Sequence, residues 1–286
     1  MIRLTFLLLA AAVATAAGAQ EAPAPTAPAP VVPPDAAREQ AIADRLAGRM
    51  AAEEVVWLEG GGSKSLALYA EQTAPAPKGA AIIVHGMAGN ADSEPLIRLL
   101  RTELPASGWS TLSVQLPVLP AGTPRASYAG SFEASGQRIA AAIAHLKGRQ
   151  QLNIVLVGHE LGAAAAIRAA AAAGGELRAL VLLGLSSVDD LTPPAETAAA
   201  YEKIEVPVLD LDAALLAGDN AAASARRMNE ARKAGLAAYS QTTLVGTDSG
   251  FTGMAEVLLA RLRGWLDKAA PGMSLPAAGA PAPVQP

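Results

Sequence analysis

Short apolar runs alternate with longer segments of mixed polarity from about residue 55 to 267. Val55–Leu58 and Leu66–Tyr69 are strand-like and flank Gly60-Gly61-Gly62, which predicts a hairpin. Beyond them the runs Ala80–Val84, Thr111–Leu116, Leu152–Val157, Leu177–Leu183, Val206–Leu211 and Gln241–Val245 are short and carry apolar residues, the first wholly so, as in strands of a parallel sheet covered on both faces. Between them lie stretches with helical spacing: Leu96–Leu104, Phe132–Lys147, the alanine-rich run after Gly162, Asn220–Lys233 and Met254–Asp267. Asp35 is placed to cap a first helix reaching Met50. Strands alternating with helices predict an α/β fold with a mostly parallel twisted sheet flanked by helices and an N-terminal hairpin. Right-handed crossovers put the strand carboxyl ends on one edge, where ligands of such sheets bind. The loops there begin at His85, Pro117, Gly158, Gly184, Asp212 and Gly246.

The two ends of the chain follow other rules. Arg3, the apolar run Leu4–Ala17 and the small residues Ala17-Gly18-Ala19 form a secretory signal pattern over residues 1–19. The run is short of the ~20 apolar residues that a membrane helix needs. The expectation is cleavage before Gln20 and a periplasmic protein with no membrane span in the mature chain. Residues 20–34 and 269–286 alternate proline with small residues, which suits an extended spacer and a tail outside the folded unit. Proline lacks a backbone donor and fixes φ, so neither stretch sustains a helix or a ladder. The folded domain is then expected over residues 35–268.

Composition narrows the chemistry. Of 286 residues, 51% are hydrophobic, none is cysteine, and the net charge is −4. Without cysteine there is no disulfide, thiolate nucleophile or thiolate metal site. A weakly acidic chain lacks the basic stripe that nucleic acid demands, so no nucleic-acid partner is expected. The three histidines, His85, His145 and His159, have no metal-ligand spacing, so no metal and no cofactor is expected.

The most informative motif is a buried strand, then Gly158-His159-Glu160-Leu161-Gly162, then Ala163–Ala166. Glycines and small residues let strand and helix approach closely, and the middle residue is pushed out at the sheet edge. With Val84-His85-Gly86 at an earlier strand end, the chain from about Val55 to Asp267 resembles the α/β-hydrolase fold. The segments HGMAGN (His85–Asn90), GWSTLSVQLP (Gly108–Pro117), GHELGA (Gly158–Ala163), PVLDL (Pro207–Leu211) and VGTDSGFTG (Val245–Gly253) more narrowly resemble an exported bacterial family of unknown function that lacks the elbow serine.

That resemblance implies a triad, and the departures from it set the expected function. Active members carry Ser, Asp or Cys where this chain has Glu160. The catalytic histidine belongs in the loop after the last strand, and Ser249 occupies that position. Asp212 and Asp219 are the acid-position candidates. A hydroxyl nucleophile without its base loses several orders of magnitude in rate. The expected function is therefore a catalytically inactive binding or scaffold protein of the envelope. Its cleft would be built from His85, Gly86, Met87, His159, Glu160 and Leu161, with backbone N–H groups of Met87 and Leu161 where the fold forms its oxyanion hole. An acyl, peptide or glycan ligand would suit it. The Glu160 carboxylate is expected to rest on the free N–H groups of the following helix, where an anion gains ~0.3–1 kcal/mol. His85 is expected to be hydrogen-bonded beneath its loop. The alternative is an esterase-like noncanonical hydrolase using Glu160 with His85 or His159. Ser186 and Ser187, on the same edge, are read as loop-capping residues.

Overall fold

The computed structural model describes residues 31–191, 195–215 and 220–272. The expected leader, most of the spacer and tail, and Asp219 lie outside the described residues. Eight strands form one sheet in the order β1-β2-β4-β3-β5-β6-β7-β8. They are β1 (Val55–Gly60), β2 (Ser63–Ala70), β3 (Gly79–Val84), β4 (Trp109–Val114), β5 (Ile154–His159), β6 (Ala179–Leu183), β7 (Val208–Ala213) and β8 (Tyr239–Leu244). The hairpin β1–β2 is antiparallel, β2 meets β4 antiparallel, and every other pairing is parallel.

Among the described residues, seven α-helices connect and cover the strands: α1 (Ala36–Ala47), α2 (Leu96–Glu103), α3 (Phe132–Gly148), α4 (Leu161–Ala173), α5 (Thr197–Tyr201), α6 (Asn220–Lys233) and α7 (Ala255–Ala269). The β3 sequence shows why both faces are covered. Ala80, Ile82 and Val84 enter the core that includes Ile139, Ile143 and Ala163–Ala166, while Ala81 and Ile83 enter the opposite core with Leu100, Leu258 and Leu262. Alternate side chains of a strand point to opposite faces, so a continuous apolar run needs two cores. A smaller cluster joins Ala43 and Leu46 of α1 to Leu66 and Leu68 of β2. Among the described residues no helix is long and apolar enough to cross a membrane.

Most sequence expectations hold within a few residues, and the exceptions have local causes. Asp35 caps α1, its carboxylate accepting from the Arg38 backbone N–H at 2.9 Å, but the helix ends at Ala47 before Gly48. Strand β4 stops at Val114 instead of Leu116, because the Leu116 N–H turns away to His85 Nε2 at 3.0 Å. Strand β5 starts at Ile154 and runs into the elbow as far as His159, which pairs with Leu183. Helix α5 is too short to show a period and was not expected. The folded unit also passes Lys268: α7 reaches Ala269, Ala270 is buried, and Asn153 Nδ2 donates to the Ala270 carbonyl at 3.1 Å.

Candidate functional site

The elbow forms where the motif predicts. Glu160 has φ 49° and ψ −122°, a conformation that L residues seldom adopt and that costs ~1–3 kcal/mol where it persists. Close packing holds it there. A Cβ on Gly162 would lie 2.2 Å from the His85 carbonyl oxygen, and one on Gly158 would lie 2.6 Å from Ala163 Cα. Only glycine permits β3, β5 and α4 to approach this closely. The Glu160 N–H donates to Leu183 O at 2.9 Å, tying the turn to β6.

The Glu160 carboxylate does not cap α4: it makes no side-chain bond to the helix N–H groups. That expectation is corrected, because the elbow dihedrals aim the side chain elsewhere. Its Oε1 accepts from Ser249 Oγ at 2.7 Å. Its Oε2 packs on Gly86, where an added Cβ would be 2.5 Å away. Thus the elbow position and the position expected for the catalytic histidine do face each other, but they hold a carboxylate and a hydroxyl. The Glu160 side chain is about one-third exposed, at 33%.

His159 and His85 have separate tasks. His159 Nε2 donates to the Ser249 carbonyl at 2.8 Å and lies 4.0 Å from Glu160 Oε1. Burial lowers the His159 pKa against the pull of Glu160. His85 Nε2 accepts from Leu116 N–H at 3.0 Å, with Gln115 Nε2 at 3.1 Å, so its proton sits on Nδ1 and goes to the Gly86 carbonyl at 2.8 Å. Both ring nitrogens are engaged, and burial pushes the His85 pKa down to about 4. His85 is a neutral staple between the β3 and β4 loops, as its expected place beneath the loop implies. It is not available as a base for Glu160, which removes that half of the esterase-like alternative.

Asp212 is not poised as an acid beside the elbow. It lies inside β7, buried, and its partners are on α6: Arg227 Nη2 at 2.5 Å and the Ser224 hydroxyl. Asp210, which the sequence reading did not single out, accepts from Arg227 Nε at 2.8 Å, Gln241 Nε2 at 2.9 Å and the Tyr239 hydroxyl at 2.5 Å. Burial, then the Asp210 charge, raises the Asp212 pKa. Ser186 and Ser187 hold the loop after β6: the Ser186 hydroxyl accepts from Arg125 Nη2 at 3.0 Å, and the Ser187 hydroxyl donates to Asp189 at 2.8 Å.

The cleft beside the elbow is small, with about 30 Å³ open to the centres of water-sized spheres, and it is partly open to solvent. Four expected residues line it: His85, Gly86, Met87 and Leu161. His159 and Glu160 do not; they lie at the elbow, with Gly86 between Glu160 and the cleft. The second wall was missed. It comes from Leu116–Leu119 after β4, from Tyr128 and Phe132 before and at the start of α3, and from Arg38 of α1. The apolar run Leu116-Pro117-Val118-Leu119 in a loop was the available signal, since apolar residues at a strand's carboxyl edge need something to cover them. Arg38 had no such signal, because on α1 it reads as an ordinary polar-face charge. Among the described residues no group of three or more His, Cys, Asp or Glu is arranged to hold a metal ion.

The sheet order, the strained elbow and the close glycine contacts define an α/β-hydrolase fold. Similar solved structures include Est1E from Butyrivibrio proteoclasticus, at 15% identity and TM-score 0.59 over 74% of this chain and 97% of that one. A dienelactone hydrolase from Anabaena variabilis matches at 16% identity and TM-score 0.59 over 76% of this chain and 97% of that one. XC6422 from Xanthomonas campestris, described as a serine hydrolase without a lid, matches at 15% and 0.57 over 77% and 96%. At these identities the likeness is one of fold. The family model described as "Protein of unknown function (DUF3530)" matches residues 1–135 and 129–268, and the chain belongs to that family. A search of curated proteins found no match.

Proposed function

We propose that this protein is an exported, catalytically inactive member of the α/β-hydrolase fold that acts by binding a ligand at the carboxyl edge of its sheet, in the cell envelope. The observation that carries the reading is the 2.7 Å hydrogen bond from Ser249 Oγ to Glu160 Oε1. Serine-hydrolase chemistry needs a hydroxyl at the elbow and a base that receives its proton. Here the hydroxyl stands in the base's place and a carboxylate stands in the nucleophile's place. His159 is the nearest histidine, and its Nε2 proton is already given to the Ser249 carbonyl. The leader-like first nineteen residues supply the argument for export.

The second reading is an esterase-like hydrolase that uses Glu160 with His159. The 4.0 Å separation of His159 Nε2 from Glu160 Oε1 favours it over any pairing with His85. One set of assays separates the two. Under the binding reading, purified wild type turns over p-nitrophenyl butyrate and an amide analogue no faster than buffer, and a serine-directed fluorophosphonate leaves it unlabelled. Turnover that disappears in Glu160→Ala would sink that reading in favour of the second. The double variant Glu160→Ser with Ser249→His should gain weak esterase activity, because the two positions are in contact. Cell fractionation should recover the mature chain in the periplasm with its amino terminus at Gln20.

A further inference from the structure

The cleft's polar groups, taken one at a time, leave little for a ligand to use. His85 is saturated by Gly86 and Leu116. The Ser131 hydroxyl donates to the Tyr128 carbonyl at 2.7 Å, and the Ser135 hydroxyl donates to the Ser131 carbonyl at 2.8 Å. Arg38 and the Tyr128 hydroxyl remain. Arg38 Nη1 donates to the Leu119 carbonyl at 2.7 Å, which fixes the guanidinium in place. Among the described residues its Nε and Nη2 have no hydrogen-bond partner and no carboxylate pairs with its guanidinium, although the residue is partly buried. The Tyr128 hydroxyl likewise has no hydrogen-bond partner there, and Arg38 is close enough to act on it electrostatically. An unpaired guanidinium on an apolar wall calls for an anion, and its fork matches a carboxylate with two parallel hydrogen bonds.

The opposite end of the cleft carries the reverse preference. Glu160 Oε2 packs on Gly86, a lining residue, so an anionic head is repelled from the elbow and drawn toward α1. Space limits the rest of the ligand. The space open to the centre of a water-sized sphere is about 30 Å³, which suits a short chain better than a long one.

Resting on the binding reading above, we propose that the cleft takes a short-chain monocarboxylate, with its acid group on Arg38 and Tyr128 and its hydrocarbon end against Leu116, Phe132 and Leu161. The head-group site belongs to the N-terminal helix, outside the strand-end loops that the elbow motif points to.

The test is a protein-observed NMR titration of the mature chain with butyrate and with neutral butyramide. The inference expects butyrate to bind at least tenfold more tightly than butyramide, with shifts confined to cleft residues. Arg38→Gln should abolish that preference by weakening butyrate far more than butyramide, and Arg38→Lys should retain part of it. Equal binding of the two compounds would overturn the carboxylate inference and leave the binding reading standing. Shifts outside the cleft, or a preference that survives Arg38→Gln, would overturn it too. Failure of both compounds to bind would remove the inference and count against the cleft as a binding site. The wild-type preference is measured without any variant, so a folding defect in Arg38→Gln cannot hide the result.

Discussion

Two polar clusters anchored on strands of the same sheet obey opposite rules. Around β7, Asp210 and Asp212 are fully buried and share one guanidinium, Arg227, with Ser224, Tyr239 and Gln241 completing the contacts. At the elbow, Glu160 is partly exposed and has a hydroxyl as its only side-chain hydrogen-bond partner among the described residues. Water can make up the missing partners of Glu160, but not those of Asp210. The first cluster is therefore bound to the fold's integrity, and the second is free to vary without unfolding the chain. The difference shows how an acid on β7 is tied to structure while the residue at the elbow is not.

Three experiments sharpen the contrast. The largest effect is expected for Arg227→Met, which leaves two buried carboxylates without their cation; breaking such a pair costs about 3–5 kcal/mol. Urea denaturation reads it directly, and a loss under 1 kcal/mol would show that the β7 cluster is not structural.

The next effect is a pH dependence. The folded-state pKa of His85 lies at about 4, below the ordinary 6.5, because the ring is buried. Between those values the unfolded chain binds the proton and the folded chain does not, so stability falls as the pH drops from about 6.5 toward 4. A shift of this size corresponds to about 3 kcal/mol. Asp212 works in the other sense: its raised pKa makes its contribution greatest when protonated and loses it as the pH rises above the usual aspartate range. Unfolding free energies from pH 4 to 7 for wild type and His85→Gln should differ in slope, with the variant flatter. Equal slopes would mean that His85 is not the proton-sensitive staple.

The smallest effect concerns the elbow strain. Glu160→Gly loses the Ser249 bond but relieves the φ of 49°, and the net gain in stability should be about 1 kcal/mol. A net loss in thermal unfolding would mean that the Glu160–Ser249 contact outweighs the strain, and that the elbow is a structural cluster like the one on β7.

The fold was legible because its signals are local and periodic. The run Ala80–Val84 shows a doubly covered strand by having no polar position, and Gly158–Gly162 shows the elbow by placing glycines where backbones must meet. Positions 160 and 249 are both placed in loops at the same sheet edge by the sequence, but that they touch comes from the fold. The partners were not legible in the same way. That Glu160 binds Ser249 instead of the helix N–H groups depends on dihedrals which packing imposes. That Asp212 pairs with Arg227, and that His85 spends both nitrogens on the β3 and β4 loops, depends on which elements the crossovers bring together.

Arg38 is the clearest case. In the sequence it is one charge on the polar side of a first helix, and in the folded protein it lines the cleft with half of its fork unused. Hydrophobic spacing and glycine placement are properties of neighbouring residues, so the sequence by itself determined the sheet, the elbow and which residue types stand at it. Hydrogen-bond partners and unpaired charges are properties of residues far apart in the chain, so tertiary packing alone decided which side chains are consumed by the fold and which stay free for a ligand.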